Sequence, residues 1–288
     1  MEPGAVHVVR TPAVGHASPT AARRLGRGLG GPLERGVRET GDFALFAIAA
    51  FRAIPGSRQY LAETLRQAGR IITGSALHIW QQEPEAMRQV EIARAIYKAK
   101  VPFYGSCWGL QVATVAAGGV VHKNPRGREM GIARKIVPNA AGSAHPLLKG
   151  RPAAFDSPCS HLDEVATLPP DSTLLASNGM SRVQAAEIRH EGGTFWGVQY
   201  HPEYTLGDIA FLIDRRMGAL MGEGFFADPA EKDAYVRDLR AIDEDPALTN
   251  IAWRYNLGPE LTDTATRNTE LRNFIEERVR PRAMARAA

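Results

Sequence analysis

The chain has 288 residues, 44% of them apolar, with 35 Lys and Arg against 31 Asp and Glu, a formal net charge of +4. That length can bury a large core, as one substantial domain with an appendage or as two smaller ones. The positive charge comes from scattered arginines rather than a lysine and aromatic stripe, so nucleic acid is not an expected partner; no apolar run reaches the roughly 20 residues that span a bilayer, so no membrane is expected either.

Residues 1–40 are rich in Gly, Pro and Arg and lack apolar periodicity, which predicts an irregular or mobile segment. Val6, His7, Val8 and Val9 are a candidate strand within it. The apolar stretch 43–51 and a helical pattern over 57–67 follow; 43–51 lies too far from Met1 to be a usual signal-peptide core. From residue 69 the alternation is clearer. Strands are expected at 70–73, 101–106, near 119–123 and at 131–137, with helices over 83–99 and 108–117 between them. Further extended runs near 153–157, 173–177, 183–189 and 194–200 precede a helix over 205–221. This order predicts an α/β fold, a mainly parallel central sheet flanked by helices. Beyond Gly224 the pattern turns helical and charged: 228–243, then 247–255 and 269–279, with Asp245-Pro246 as a break. The expected division is 1–40 as the irregular segment, 41–222 as the main α/β domain and 223–288 as a helical C-terminal extension.

The most informative stretch is Gly105-Ser106-Cys107-Trp108-Gly109-Leu110-Gln111. It sets a cysteine between glycines where an apolar strand gives way to an Ala-rich helix. A tight strand-turn-helix of this kind pushes a nucleophile out of the sheet, and glycine on both flanks permits the strained backbone. At the helix N-terminus the dipole and free N–H groups favour thiolate. The plain alternative is a small buried core cysteine in a tight turn. A second motif, His201-Pro202-Glu203, ends the apolar run 194–200. A thiol needs a base, and the base needs a partner to hold its tautomer. His201 and Glu203, two residues apart, would project on one face; alone, such a motif is more often a turn with a satisfied histidine. His161 is a second candidate base. Cys107 and Cys159 are expected as free thiols in a reducing, cytoplasmic compartment, because a disulfide would consume the nucleophile.

Taken together, Gly105, Cys107, Gly109 and Gln111 followed by His201, Pro202 and Glu203 resemble the signature of class I (triad-type) glutamine amidotransferases. Residues 71–75, Ile-Ile-Thr-Gly-Ser, look like the family's oxyanion strand with Ser75 in place of a second glycine. Arg128-Glu129-Met130-Gly131 is similar to the segment before a mid-domain strand. Ser160-His161-Leu162-Asp163-Glu164-Val165 is similar to the Ser-His-Gly-Asp-x-Val segment of guanylate-synthase-type glutaminase domains, with Leu162 for glycine. The resemblance covers about residues 69 to 215 and implies a flavodoxin-like fold opened by a β-α-β unit.

The resemblance further implies a mechanism. Cys107 would attack the side-chain carboxamide of glutamine, and backbone N–H groups of Gly74 or Ser75 and of Trp108 would form the oxyanion hole. His201 would protonate the leaving ammonia and activate water against the thioester, with Glu203 holding its ring. The Gln111 side chain and the backbone around Leu162 and Asp163 would hold the amino-acid end, alongside His161. Gln111 as a surface residue and Asp163 as a turn residue remain the rival readings. The large Trp108 side chain raises the question of whether it narrows the glutamine pocket or covers the thiol. No cofactor and no metal is expected.

No phosphate-binding loop of the Gly-x-x-x-x-Gly-Lys-Ser/Thr or Ser-Gly-Gly-x-Asp kind occurs, so ammonia would pass to a separate synthetase or acceptor subunit, or the product would simply be glutamate. The C-terminal extension is expected to serve packing or self-association as a homo-oligomer. Two alternatives stay open: a γ-glutamyl peptide or amide hydrolase using the same residues, and a non-catalytic regulatory or binding protein on the same fold.

Overall fold

The computed structural model describes residues 69–75 and 77–287. The expected irregular segment 1–40, the candidate strand at Val6 to Val9, the stretch 43–51 and the helix over 57–67 lie outside the described residues.

Nine strands are described: β1 (Arg70–Ile72), β2 (Phe103–Ser106), β3 (Val120–Lys123), β4 (Glu129–Pro138), β5 (Phe155–His161), β6 (Asp163–Thr167), β7 (Ser172–Ser177), β8 (Ala185–His190) and β9 (Gly193–Val198). Seven form one sheet in the order β1-β2-β9-β8-β7-β4-β5, and β3 pairs with β6 as a separate ribbon. The parallel part is β1, β2 and β9, and every other pairing in the sheet is antiparallel. The α/β fold is as expected, and its sheet is mixed, because hairpins rather than helical crossovers join the strands after β4. β6 was not among the expected strands; its polar Asp163-Glu164 start hides the strand pattern.

Helix α1 (Pro84–Lys98) opens with Pro84 in its first turn, where a missing N–H costs nothing. Its buried positions Ala86, Val90, Ala93 and Tyr97 recur at helical spacing and face the sheet. Helix α2 (Trp108–Ala116) is buried almost all round. Together α1 and α2 cover one face of the sheet, in a cluster with Phe103, Ile188 and Phe195. A short α3 (Ala140–Ala144) follows β4.

The expected helix over 205–221 is two helices, α4 (Leu206–Arg215) and α5 (Met217–Gly222), which break at Arg216. Helix α4 starts at a capping box in which the Thr205 hydroxyl accepts from the Asp208 N–H and Asp208 accepts from the Thr205 N–H. It packs on α6 (Pro229–Glu244) through Ile209, Ile213, Val236 and Leu239. The chain continues through α7 (Thr249–Arg254), α8 (Pro259–Thr262), α9 (Thr264–Arg267) and α10 (Thr269–Phe274), then a π-helical turn (Ile275–Val279) and α11 (Arg280–Ala287). Leu271, Phe274, Ile275 and Val279 lie against Tyr104, Trp196 and Val198 on the sheet face opposite α1 and α2. The helical tail therefore supplies core to the strands that carry the candidate site.

Candidate active site

Parallel pairing of β2 with β9, with Gly105 opposite Gly197 and Ser106 opposite Val198, puts the ends of both strands at the same edge of the sheet. Cys107 leaves β2 there and His201 follows β9. The Cys107 N–H donates to the Val198 carbonyl at 2.8 Å, tying the elbow to the neighbouring strand. Cys107 has φ 51° and ψ −99°, outside the ordinary regions for a residue with a side chain. The flanking glycines are required by contact. A Cβ on Gly109 would stand 2.2 Å from the Ile72 carbonyl oxygen, and one on Gly105 would stand 2.7 Å from Gly109 Cα. Helix α2 thus lies directly on β1, with Cys107 at its N-cap.

The His201 imidazole donates from Nδ1 to Glu203 Oε1 at 2.8 Å, and Ser106 Oγ donates to the same oxygen at 2.6 Å. His201 and Glu203 are 1% and 3% exposed, so this pairing is out of bulk water. Tyr204 stacks flat on the imidazole, with ring centroids 4.0 Å apart and planes 5° apart. Gly74 backs the same ring: a Cβ there would lie 2.9 Å from His201 Cε1. The Cys107 sulfur interacts with the same imidazole and raises its proton affinity. Burial opposes a charge on His201, but the Glu203 carboxylate and the Cys107 sulfur outweigh it and raise the imidazole to about 9. A thiol beside an imidazole whose tautomer is fixed by a carboxylate can form a thiolate–imidazolium pair.

The structure gathers most of the sequence-predicted residues around this point. The Cys107 thiol faces the Ser160 carbonyl at 3.8 Å. Gln111 is buried, not a surface residue, and its Nε2 donates to the Asp163 carbonyl at 3.3 Å. Leu162, half-buried, forms the β5–β6 turn, and its carbonyl accepts from the Asn124 N–H at 2.9 Å. Ser75 Oγ accepts from the Leu77 N–H at 3.1 Å, just beyond β1. The Trp108 N–H is the first of α2 and so has no partner within the helix. The Trp108 indole lies in the α1–α2 packing, where Nε1 donates to Gln89 Oε1 at 2.6 Å.

His161 has a different task. Its Nε2 lies 2.8 Å from Glu129 Oε2 and its Nδ1 3.0 Å from the Asp163 carbonyl oxygen, so both ring nitrogens are committed to holding the β4–β5–β6 corner. Cys107 and Cys159 are both free, as expected.

Four residues near the thiol carried no signal in the sequence. Ser106 fills the unspecified position between Gly105 and Cys107, and Tyr204 directly follows the His-Pro-Glu motif. His78 holds Asp163 Oδ2 at 2.7 Å through Nδ1, which lifts its affinity for a proton above the ordinary histidine value, while Asp163 Oδ1 is buried with no partner among the described residues. Arg216 lies at the helix break and its Nη1 donates to Ser160 Oγ. Among the described residues no group of three or more His, Cys, Asp or Glu could hold a metal ion, and no helix is long and apolar enough to cross a membrane.

Residues 78–214, which carry the elbow, the β5–β6 turn and the His-Pro-Glu motif, match the family model of glutamine amidotransferase class-I. That stretch is similar to class I glutamine amidotransferase domains. Among the relatives of this chain, a γ-glutamyl-L-1-hydroxyisopropylamide hydrolase from Pseudomonas sp. is 38% identical over 55% of this chain and 54% of that protein. A glutamine-hydrolyzing GMP synthase from Thermosipho africanus is 32% identical over 50% of this chain and 25% of that protein. γ-Glutamyl peptidase 3 from Arabidopsis thaliana is 28% identical over 63% of this chain and 72% of that protein. The chain thus spans about half the length of the first relative and a quarter of the second. It superposes on the solved structure of a glutamine amido transferase from Methylobacillus flagellatus with a TM-score of 0.53 and 20% identity, covering 81% of this chain and 89% of that one, a likeness of fold.

Proposed function

We propose that this chain hydrolyses γ-glutamyl amides through a Cys107 thioester, with His201 as acid and base and Glu203 as the group that orients it. The observation that carries this reading is the Cys107–His201–Glu203 arrangement at the common edge of β2 and β9. The thiolate attacks the γ-carbonyl, and the developing oxyanion is held by backbone N–H groups of Gly74 or Ser75 and of Trp108. His201 gives its proton to the leaving amine, then takes one from the water that releases glutamate. Ser106 adds a second donor to Glu203 and keeps that carboxylate fixed. The buried Asp163 Oδ1 and the Gln111 side chain are the groups for the glutamyl amino-acid end; an ammonium would satisfy the unpartnered oxygen.

A second reading is a glutaminase that passes ammonia to a separate synthetase subunit. The similarity to a glutamine-hydrolyzing GMP synthase favours it. Names among the other relatives, a γ-glutamylamide hydrolase and a γ-glutamyl peptidase, favour cleavage of substituted amides. The test is a comparison of kcat/KM on glutamine and on γ-glutamylmethylamide by glutamate release from the full chain. Faster cleavage of the substituted amide is the expected result. Ammonia release from glutamine alone would replace the first reading by the second, and no glutamate from either substrate would sink both.

The acid step sets a pH limit. With His201 raised to about 9, its proton is present through neutral pH and is lost as pH rises through that value. A profile of kcat/KM from pH 6 to 10.5 is expected to fall at its alkaline end with an apparent pKa near 9. A falling limb near 7 would contradict the assignment of His201 as the acid.

A further inference from the structure

Arg216 stands at the break between α4 and α5, as the C-cap of one and the N-cap of the other, with its guanidinium turned towards the site. Its Nη1 donates to Ser160 Oγ. Ser160 is also the residue whose carbonyl faces the Cys107 thiol. Among the described residues no carboxylate pairs with Arg216, and its Nε and Nη2 donate to none of them. Arg128, the neighbouring guanidinium, is already taken: Glu223 holds its Nε at 2.8 Å and its Nη2 at 3.1 Å. Burial first, then the Arg128 charge, pulls the proton affinity of Arg216 below the ordinary arginine value, against the pull of Tyr204 and Cys107. A half-buried cation whose only partner among the described residues is a hydroxyl is costly to keep, and its free Nε and Nη2 match the two oxygens of a carboxylate.

The flank on which Arg216 sits indicates which carboxylate. His201 hands its proton to the leaving amine, so that amine must lie beside the imidazole. Tyr204 covers the imidazole face, and Arg216 acts electrostatically on both Tyr204 and Cys107. The glutamyl amino-acid end is assigned to Gln111 and Asp163, which are linked to each other through the Asp163 carbonyl. We propose that Arg216 binds a carboxylate carried by the leaving amine, so that the substrates this site selects are γ-glutamyl amino acids or short γ-glutamyl peptides rather than neutral alkylamides. This rests on the γ-glutamyl hydrolase reading above and narrows its substrate class.

The test uses the full chain with γ-glutamylglycine and γ-glutamylmethylamide, which differ by the carboxylate on the leaving amine. For Arg216→Gln the ratio of kcat/KM on the acid over the neutral amide is expected to fall at least about tenfold, mainly through KM on γ-glutamylglycine, as loss of one charge-assisted pair implies. Arg216→Lys, which keeps the charge without the fork, is expected to fall between the two. A ratio unmoved in both variants overturns the proposal, as does an equal loss on both substrates at an unchanged Tm, which would place Arg216 on the glutamyl carboxylate or on the fold. If the unaltered protein cleaves neither compound, the γ-glutamyl reading itself falls and takes this proposal with it, an outcome distinct from turnover without selectivity.

Discussion

Replacing Cys107 with alanine is expected to lower γ-glutamyl hydrolysis at least ~10⁴-fold, because residues of a nucleophile and base pair act as a unit and removing the nucleophile leaves only binding and the oxyanion hole. The fold should survive. Cys107 is only 5% exposed, but its side chain is small, and alanine keeps the Cβ that the elbow already accommodates. Two readouts check this together: glutamate release from a γ-glutamyl amide, and mass-spectrometric detection of an adduct from a γ-glutamyl chloroketone. The unaltered chain should gain a single adduct at Cys107, and Cys107→Ala none. Labelling at Cys159 instead would be hard to reconcile with its environment, since Cys159 is wholly buried and burial pushes its thiol up, with Glu129 adding to the effect. An unreactive Cys107 in a well-folded chain would favour the non-catalytic binding protein.

The second large effect is on stability. Glu270 in α10 is fully buried and its carboxylate accepts from the Nε–Nη2 edge of Arg151, Nε at 2.7 Å and Nη2 at 2.7 Å. Its Oε1 also accepts from the Tyr200 hydroxyl at 2.8 Å. Arg151 lies in the connection from β4 to β5, its side chain 1% exposed, so Glu270→Ala would strand a guanidinium in the core. Breaking a buried pair from one side costs about 3–5 kcal/mol, which corresponds to a Tm drop of roughly 10 °C for a chain of this size. Thermal unfolding followed by circular dichroism measures it. The double variant Arg151→Met with Glu270→Leu should recover most of the loss, because an apolar pair of similar volume needs no counter-charge. A single-variant drop of under about 1 kcal/mol would mean that water reaches Arg151 in solution.

The chain announces its chemistry locally and its architecture only in part. Gly105 to Gln111 and His201 to Glu203 were legible because each motif is contiguous, and because a glycine-flanked cysteine between strand and helix has few other uses. The strands from β4 onwards could be placed along the chain, but their direction could not, since a hairpin and a crossover of similar length leave similar apolar runs. The break at Arg216 was hidden in a helical pattern that runs on through it. The role of His161 was ambiguous for a different reason: its partner Glu129 is 32 residues away and meets it only through the β4–β5 register, where Glu129 lies opposite His161. Trp108 posed a question of direction that sequence could not answer, and the bond to Gln89 on α1 answers it.

The parallel seam between β2 and β9 has a consequence for how this chain can vary. The thiol and the imidazole are set by four facing pairs, Phe103 with Phe195 through Ser106 with Val198. A slip of one residue would move His201 by about 3.3 Å and send alternate side chains to the wrong face. Everything between the two strands leaves from one and returns to the other: the β3–β6 ribbon, the long β4–β5 hairpin, and the β7–β8 pair. That excursion is free to lengthen, shorten or exchange its loops while the distance across the seam stays fixed. Differences in substrate among chains of this architecture can therefore accumulate in the excursion and in the helices after His201, leaving the Cys107–His201 spacing untouched.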